Sequence, residues 1–314
     1  MSIRTRWGLA TTVLAVAVLV SACAPPAISV PFAAQPVITP QQARATFLQL
    51  ESERTVAVHD ENKAALARIE FGQALTEDDG EIDAEKATGQ SDDASALPFT
   101  KVSMLVPRLT SYPAWFATET SERGHSALAV VSRPDPAARW RIQFETVLGQ
   151  PLPAIKGEAG YATAGTLDRN LSSDLARYYA NGLLQKPTQF VLPGPDSSKV
   201  VSLRQELSSL QSSGWSLDTK YSAGPFAPAQ GLALKGGGTL GMATLSWTIS
   251  VTEADGSCFW QDPRTSYWSY LGSSDSVSRL SYTRVWSAPV IESKAGERVL
   301  GLDTEETAED QVPC

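Results

Sequence analysis

The chain has 314 residues, 42% hydrophobic and 19% charged, which is enough apolar side chain to bury a core and excludes a disordered or collagen-like chain. Lys and Arg number 26 against 34 Asp and Glu, a formal net charge of −8 with no basic block. That balance argues against DNA or RNA as a partner, because phosphate binding needs clustered cations to displace counterions.

Residues 1–22 divide into a cationic start (Arg4, Arg6), an apolar run of 13 residues from Gly8 to Val20, and a small-residue exit, Ser21-Ala22. This is the pattern of a secretion signal. The run falls short of the ~20 residues an α-helix needs to cross a bilayer, and Arg-Thr-Arg is not a twin-arginine pair. The ending Leu19-Val20-Ser21-Ala22-Cys23 resembles a bacterial lipobox, which implies that Cys23 receives a diacylglyceryl group and becomes the mature N-terminus. Two or more acyl chains of the palmitate kind, at ~0.8 kcal/mol per buried CH₂, hold a protein stably at a bilayer where one does not. Removing 1–22 takes away Arg4 and Arg6 and no acid, leaving 24 basic against 34 acidic side chains, a net −10. Such a surface is repelled by anionic headgroups, so the acyl chains must hold it. Residues 23–40, with Pro25, Pro26, Pro31, Pro36 and Pro40, read as an extended tether.

Thr39-Pro40-Gln41-Gln42 offers a helix start, with Thr as cap, Pro in the first helical position and Gln three residues after the cap. Ala43, Phe47, Leu50, Val58, Leu66 and Ile69 follow helical spacing, which fits one long helix or two shorter ones ending at Gly72. The run with Glu77, Asp78, Asp79, Glu81, Asp83, Glu85, Asp92 and Asp93 reads as a solvated acidic loop. It is not an EF-hand: with Gly80 at loop position 6, positions 1 and 12 are Leu75 and Lys86. Strands are expected over 99–107, 114–118, 126–132 and 140–148. The last places Trp140, Ile142, Phe144 and Leu148 on a buried face and Arg141, Gln143 and Glu145 on a wet one. Turn chemistry at Glu122-Arg123-Gly124 and Pro134-Asp135-Pro136 makes the neighbours antiparallel.

A Gly- and Pro-rich stretch, 149–165, leads to a second unit. Leu167, Leu171, Leu175 and Tyr178 form one helical stripe, and Val200, Leu203, Leu207 and Leu210 another that stops at Gly214. Strands return where Leu245, Trp247, Ile249 and Val251 alternate with Ser246, Thr248 and Ser250, and again at Leu280, Tyr282 and Trp286. The expected fold class is α+β: two tandem units, 41–155 and 166–314, each of helices followed by a curled antiparallel sheet, cystatin-like or NTF2-like by analogy.

Gly236-Gly237-Gly238-Thr239-Leu240-Gly241 matches G-x-G-x-x-G, but a strand pattern follows it where a dinucleotide site needs a helix N-terminus, so it reads as a hairpin turn. His59 and His125 each lack a second His within four residues, and neither G-x-S-x-G nor S-x-x-K occurs. No catalytic residue, metal site or cofactor is therefore assigned. Once Cys23 is acylated, Cys258 and Cys314 remain, an even pair in an oxidising compartment that reads as a disulfide contributing roughly 4 kcal/mol in the loop-entropy account. Next to Cys258, residues 259–270 carry five aromatics. Trp260, Arg264, Tyr267, Trp268 and Tyr270 could stack on sugars or anchor a partner, although filling space beside Cys258 is the plainer reading.

Cys23, the helix from Ala43, Pro107-Arg108-Leu109, Ser111-Tyr112-Pro113-Ala114-Trp115-Phe116, Ala138-Arg139-Trp140-Arg141, Leu152-Pro153 and Gly160-Tyr161-Ala162 together resemble a family of actinobacterial surface lipoproteins containing a domain of unknown function. The resemblance covers most of the mature chain, is strongest over about 98–165, and brings no catalytic residue. It implies an envelope lipoprotein, and with no catalytic motif in the sequence the expectation is a lipid-anchored, non-catalytic protein on the outer face of the cytoplasmic membrane that binds or scaffolds an envelope protein or glycan. Two alternatives stand beside it. A solute-binding lipoprotein of a transporter would show a cleft between β-α-β lobes, and an envelope hydrolase would gather acid, base and nucleophile in one pocket.

Overall fold

The computed structural model describes residues 35–88, 99–122, 125–167, 171–176, 215–223, 230–253, 259–260, 276–294, 296–301 and 303–313, together with 205, 208, 211 and 212. Helix α1 (Pro40–His59) begins where its capping residues put it. Extended Thr39 accepts at its hydroxyl from the Gln42 backbone N–H (3.2 Å), and its own N–H donates to the Gln42 side chain (2.9 Å). The helix buries Ala43, Phe47, Leu50 and Ala57. The chain then turns through Glu61, in the left-handed region at φ 49°, and Asn62 caps α2 (Lys63–Ile69) by accepting from the Ala65 N–H at 3.0 Å. The apolar stripe is thus two helices.

Gly72 (φ 66°) ends this pair, but a third helix, α3 (Gln73–Thr88), follows where the charge run alone reads as a solvated loop. The correction has a physical cause. One face of the run is kept for the interior: Ile82 is fully buried, and Glu77 and Asp78 are only 7% and 4% exposed. Counting acids does not reveal which way they point.

Strands β1 (Lys101–Leu105), β2 (Ala114–Glu122), β3 (His125–Arg133) and β4 (Arg141–Leu148) form an antiparallel meander in that order. One face packs Phe116, Ala129, Val131 and Ile142 against Phe47, Leu50, Leu66 and Ile69 of the helices. The other packs Trp115, Ala117, Leu128 and Val130 against Leu232, Leu240, Met242 and Ile291 of a second sheet. Both faces of the meander are therefore covered, yet burial along β4 alternates as expected, with Ile142, Phe144 and Leu148 buried, Arg141, Gln143 and Glu145 half-buried and Val147 exposed. A bulge divides the buried residues between the two faces: Val130 pairs with Phe144 and Val131 with Ile142, so Gln143 is skipped. Ile142 then joins the helix side and Phe144 the inter-sheet side.

Beyond a small pair, β5 (Gly157–Glu158) and β6 (Tyr161–Ala162), the second sheet comprises β7 (Ala164–Thr166), β8 (Trp215–Ala223), β9 (Gln230–Ala233), β10 (Thr239–Glu253), β11 (Phe259–Trp260), β12 (Ser276–Ser293), β13 (Gly296–Val299) and β14 (Asp303–Pro313). Its spine is the antiparallel β10–β12 ladder, from Thr239↔Glu292 to Thr252↔Arg279. The expected alternation holds. Leu245, Trp247, Ile249 and Val251 are fully buried, and Trp247 meets Trp286 edge-on at 5.9 Å. The glycine run is the β9–β10 turn, closed by Leu234 N–H to Gly238 O (3.0 Å), with Gly237 and Gly238 at φ 90° and 89°, where a side chain is strained. Residues 171–176 are helical, and Ser172 accepts the Thr244 N–H at 3.1 Å.

Residues 35–314 form one compact body of the α+β class. The inter-sheet cluster draws on residues from both sides of 149–165, so that stretch marks a change of sheet within a shared core.

Candidate functional site

The inward stripe of α1 runs Ala43, Phe47, Leu50 and Ala57, and between the last two it places Arg54. Four elements aim carboxyl groups at this guanidinium. Asp78 of α3 takes a two-pronged contact, Nε to Oδ2 at 2.8 Å and Nη2 to Oδ1 at 2.7 Å. Glu70, which caps α2, lies 2.9 Å from Nε; Glu145 of β4 accepts from Nη1; Glu51 of α1 stands 3.9 Å away. The backbone fixes Glu70, whose N–H donates to Leu66 O (2.8 Å), while the next N–H, that of Phe71, donates to Ile142 O of β4 (3.0 Å).

A hydrogen-bonded chain on α3 lies beside the cluster. Gln73 donates to Glu77 Oε1 (2.9 Å), Ser287 of β12 donates to the same oxygen (3.1 Å), and Ser287 shares a 2.6 Å hydrogen bond with Thr146 of β4. Helix α3 is thereby tied to both sheets.

The Glu70 carboxyl is 0% exposed, and burial pushes it up to about 9. Arg54 pulls the other way, and Asp78 and Glu145 add to the rise. Burial among these acids therefore favours the protonated form of Glu70. For Arg54, burial opposes the charge, but Asp78, Glu145 and Glu70 outweigh it and hold the guanidinium firmly protonated. The arginine fills the centre that a cation would take, and no cluster able to hold a metal ion occurs among the described residues.

On its outer side α1 borders a groove. One hollow of about 300 Å³ is lined by Thr46, Gln49, Arg133, Arg139 and Trp140, and a second of about 390 Å³ by Glu53, Val56, Asp60, Arg68 and again Arg139. The β3–β4 turn supplies the far wall of the first hollow, and α2 with Arg139 that of the second. Asp135 stiffens that turn by accepting from the Ala137 and Ala138 N–H groups (2.8 and 2.9 Å).

The sequence profile of a domain of unknown function (DUF8094) matches residues 34–311. The chain belongs to this family. No curated protein and no solved structure matches the chain.

Of the residues singled out in the sequence of this DUF8094 protein, Cys23, Cys258, Arg264, Tyr267, Trp268, Tyr270 and Cys314 lie outside the described residues. Trp260 sits in β11, its backbone opposite Ser276. Phe259 and Pro313, the chain neighbours of the two later cysteines, both pair with Val277 of β12, one from each side. His59 ends α1 and His125 opens β3, both exposed. Sequence reasoning missed the Arg54 cluster and the groove. The signal for the first was present, since Arg54 falls in step with the apolar positions 43, 47, 50 and 57.

Glu70 carries a proton in the folded protein, near pKa 9, that it lacks when unfolded, near 4.5. Its contribution is thus full below about pH 4.5 and is lost as pH climbs toward about 9. Denaturation midpoints measured across this window should fall less steeply for Glu70→Gln, whose amide mimics the protonated acid, than for the parent. Equal slopes would mean that Glu70 is ionised in the fold.

Proposed function

We propose that this protein is a lipid-anchored, non-catalytic binding or scaffolding protein on the outer face of the cytoplasmic membrane, attached through acyl chains on Cys23 and engaging an envelope protein or glycan. The anchor rests on the sequence: a secretion-signal pattern ending in Leu19-Val20-Ser21-Ala22-Cys23, a proline-rich tether, and no basic patch to do the work instead. No helix among the described residues is long and apolar enough to cross a membrane. Assignment to actinobacterial surface lipoproteins belongs to the same proposal, as does the finer reading of two tandem cystatin-like or NTF2-like units. That reading draws support from helical segments preceding strands in each half of the chain.

The observation that carries the binding role is the groove along α1, an open surface walled by a rigid turn and bearing exposed polar side chains. The ionisable groups gathered around Arg54 face one another in the interior, an arrangement suited to holding elements together.

A disulfide between Cys258 and Cys314 is proposed as well. Their chain neighbours Phe259 and Pro313 both pair with Val277 of β12, which brings the two flanking segments to the same strand.

Cell fractionation tests the anchor: the parent should sediment with membranes and Cys23→Ala should be released, whereas a variant that still sediments would contradict it. The intact mass of the membrane-purified protein reads the other proposal. A mass two hydrogens below the reduced value supports the bridge, and two alkylatable thiols without reduction would remove it.

A further inference from the structure

The hollow beside Trp140 carries a more specific assignment, which rests on the binding role proposed above. Arg139 projects from the β3–β4 turn with its side chain 58% exposed, and its contact is a 3.4 Å pair with Glu53, itself 37% exposed. An exposed pair of this length is held weakly, so an arriving anion can replace it. Arg133 is held differently. Its Nε donates to Asp135 O (3.2 Å), its Nη2 donates to Pro136 O, and its guanidinium lies over the Tyr112 ring at 5.5 Å. Two of its nitrogens are thus fixed by the turn, which pre-orients the third, Nη1. The one acid of that turn, Asp135, is turned onto backbone N–H groups. The hollow therefore concentrates positive charge on a chain of net −8.

Beside these cations Trp140 lines the same hollow, braced from behind by Phe116 at 5.3 Å. A flat indole next to guanidinium forks suits a ligand with an apolar ring face and anionic substituents, and sugar rings bearing acid groups have both. The shape adds a further constraint. Past Arg139 the groove continues along α1 to Asp60, so from Thr46 it follows ~20 Å of helix, room for an extended chain. Arg68 lines the second hollow together with Glu53 and Asp60, and uncharged stretches of such a chain suit that mixed charge.

We propose that the groove between α1 and the β3–β4 turn binds an anionic glycan chain, with its acid groups on Arg139 and Arg133 and a sugar ring against Trp140.

The test uses the full-length lipidated protein in detergent micelles and titrates three probes: oligogalacturonate, a neutral maltooligosaccharide of equal length, and polyphosphate. The acidic sugar should bind, and both other probes should bind at least ~10-fold more weakly, because ring and charge are needed together. Arg139→Ala should weaken oligogalacturonate ~10–100-fold, the loss expected for one charged hydrogen bond, and Arg139→Glu should abolish it. An unchanged denaturation midpoint identifies these as binding effects at an exposed residue. Polyphosphate binding as tightly as the sugar, retained affinity in Arg139→Glu, or no oligogalacturonate binding would each overturn the assignment. If that happens while Cys23→Ala is released from membranes and the parent still crosslinks to an envelope neighbour in cells, the groove assignment falls alone. If the glycan binds but Cys23→Ala stays with membranes, the anchor falls alone.

Discussion

Arg54 gathers carboxyl groups that arrive from three other elements, and the packing of the helices is built around that contact. Asp78 comes from α3, Glu145 from β4 and Glu70 from the end of α2, all within contact of one guanidinium. Removing charges from water costs several kcal/mol per ion, and an apolar core of the same volume is often as stable. What the cluster adds is intolerance of misplacement: any packing that parts Arg54 from Asp78 leaves a bare charge inside. Glu70 lowers the demand by staying protonated, so the guanidinium faces fewer anions than the count of acids suggests. Beside the cluster, Glu77, Ser287 and Thr146 tie α3 to both sheets.

Much of the architecture was legible where local chemistry alone decides it. The Thr39–Gln42 capping box, the β2 and β3 strands and the glycine turn after β9 depend on residues close in sequence, and each lies where its pattern places it. The misreadings share a different cause. Helix α3 was hidden because Glu77 and Asp78 look solvated until partners 24 and 210 residues away, Arg54 and Ser287, are known. The bulge in β4 leaves no mark on the alternation of Trp140, Ile142 and Phe144, yet it sends Ile142 and Phe144 to opposite layers. A charged residue in step with an apolar stripe, as Arg54 is, was the one sequence sign of the buried cluster.

The same contrast separates the two polar features of the body. The Arg54 cluster is turned mostly inward, and its charged side chains contact one another. The groove is open, and its wall is a turn whose backbone is fixed by Asp135 and whose arginines point outward. A turn ordered in this way suits the proposed recognition, because its groups would be fixed before a ligand arrives. The proposed anchor at Cys23 would set such a groove at the membrane surface, and the proline-rich stretch before α1 would serve as its tether.

A double-mutant cycle tests the central claim most directly. Arg54→Leu, Asp78→Leu and the double variant would be compared with the parent by denaturant unfolding. If the pair is a mutual constraint, each single change strands a buried charge, and the double variant should be less destabilised than the summed singles by ~1–3 kcal/mol. Additive losses would show that Arg54 and Asp78 act independently and that the fold does not depend on their contact.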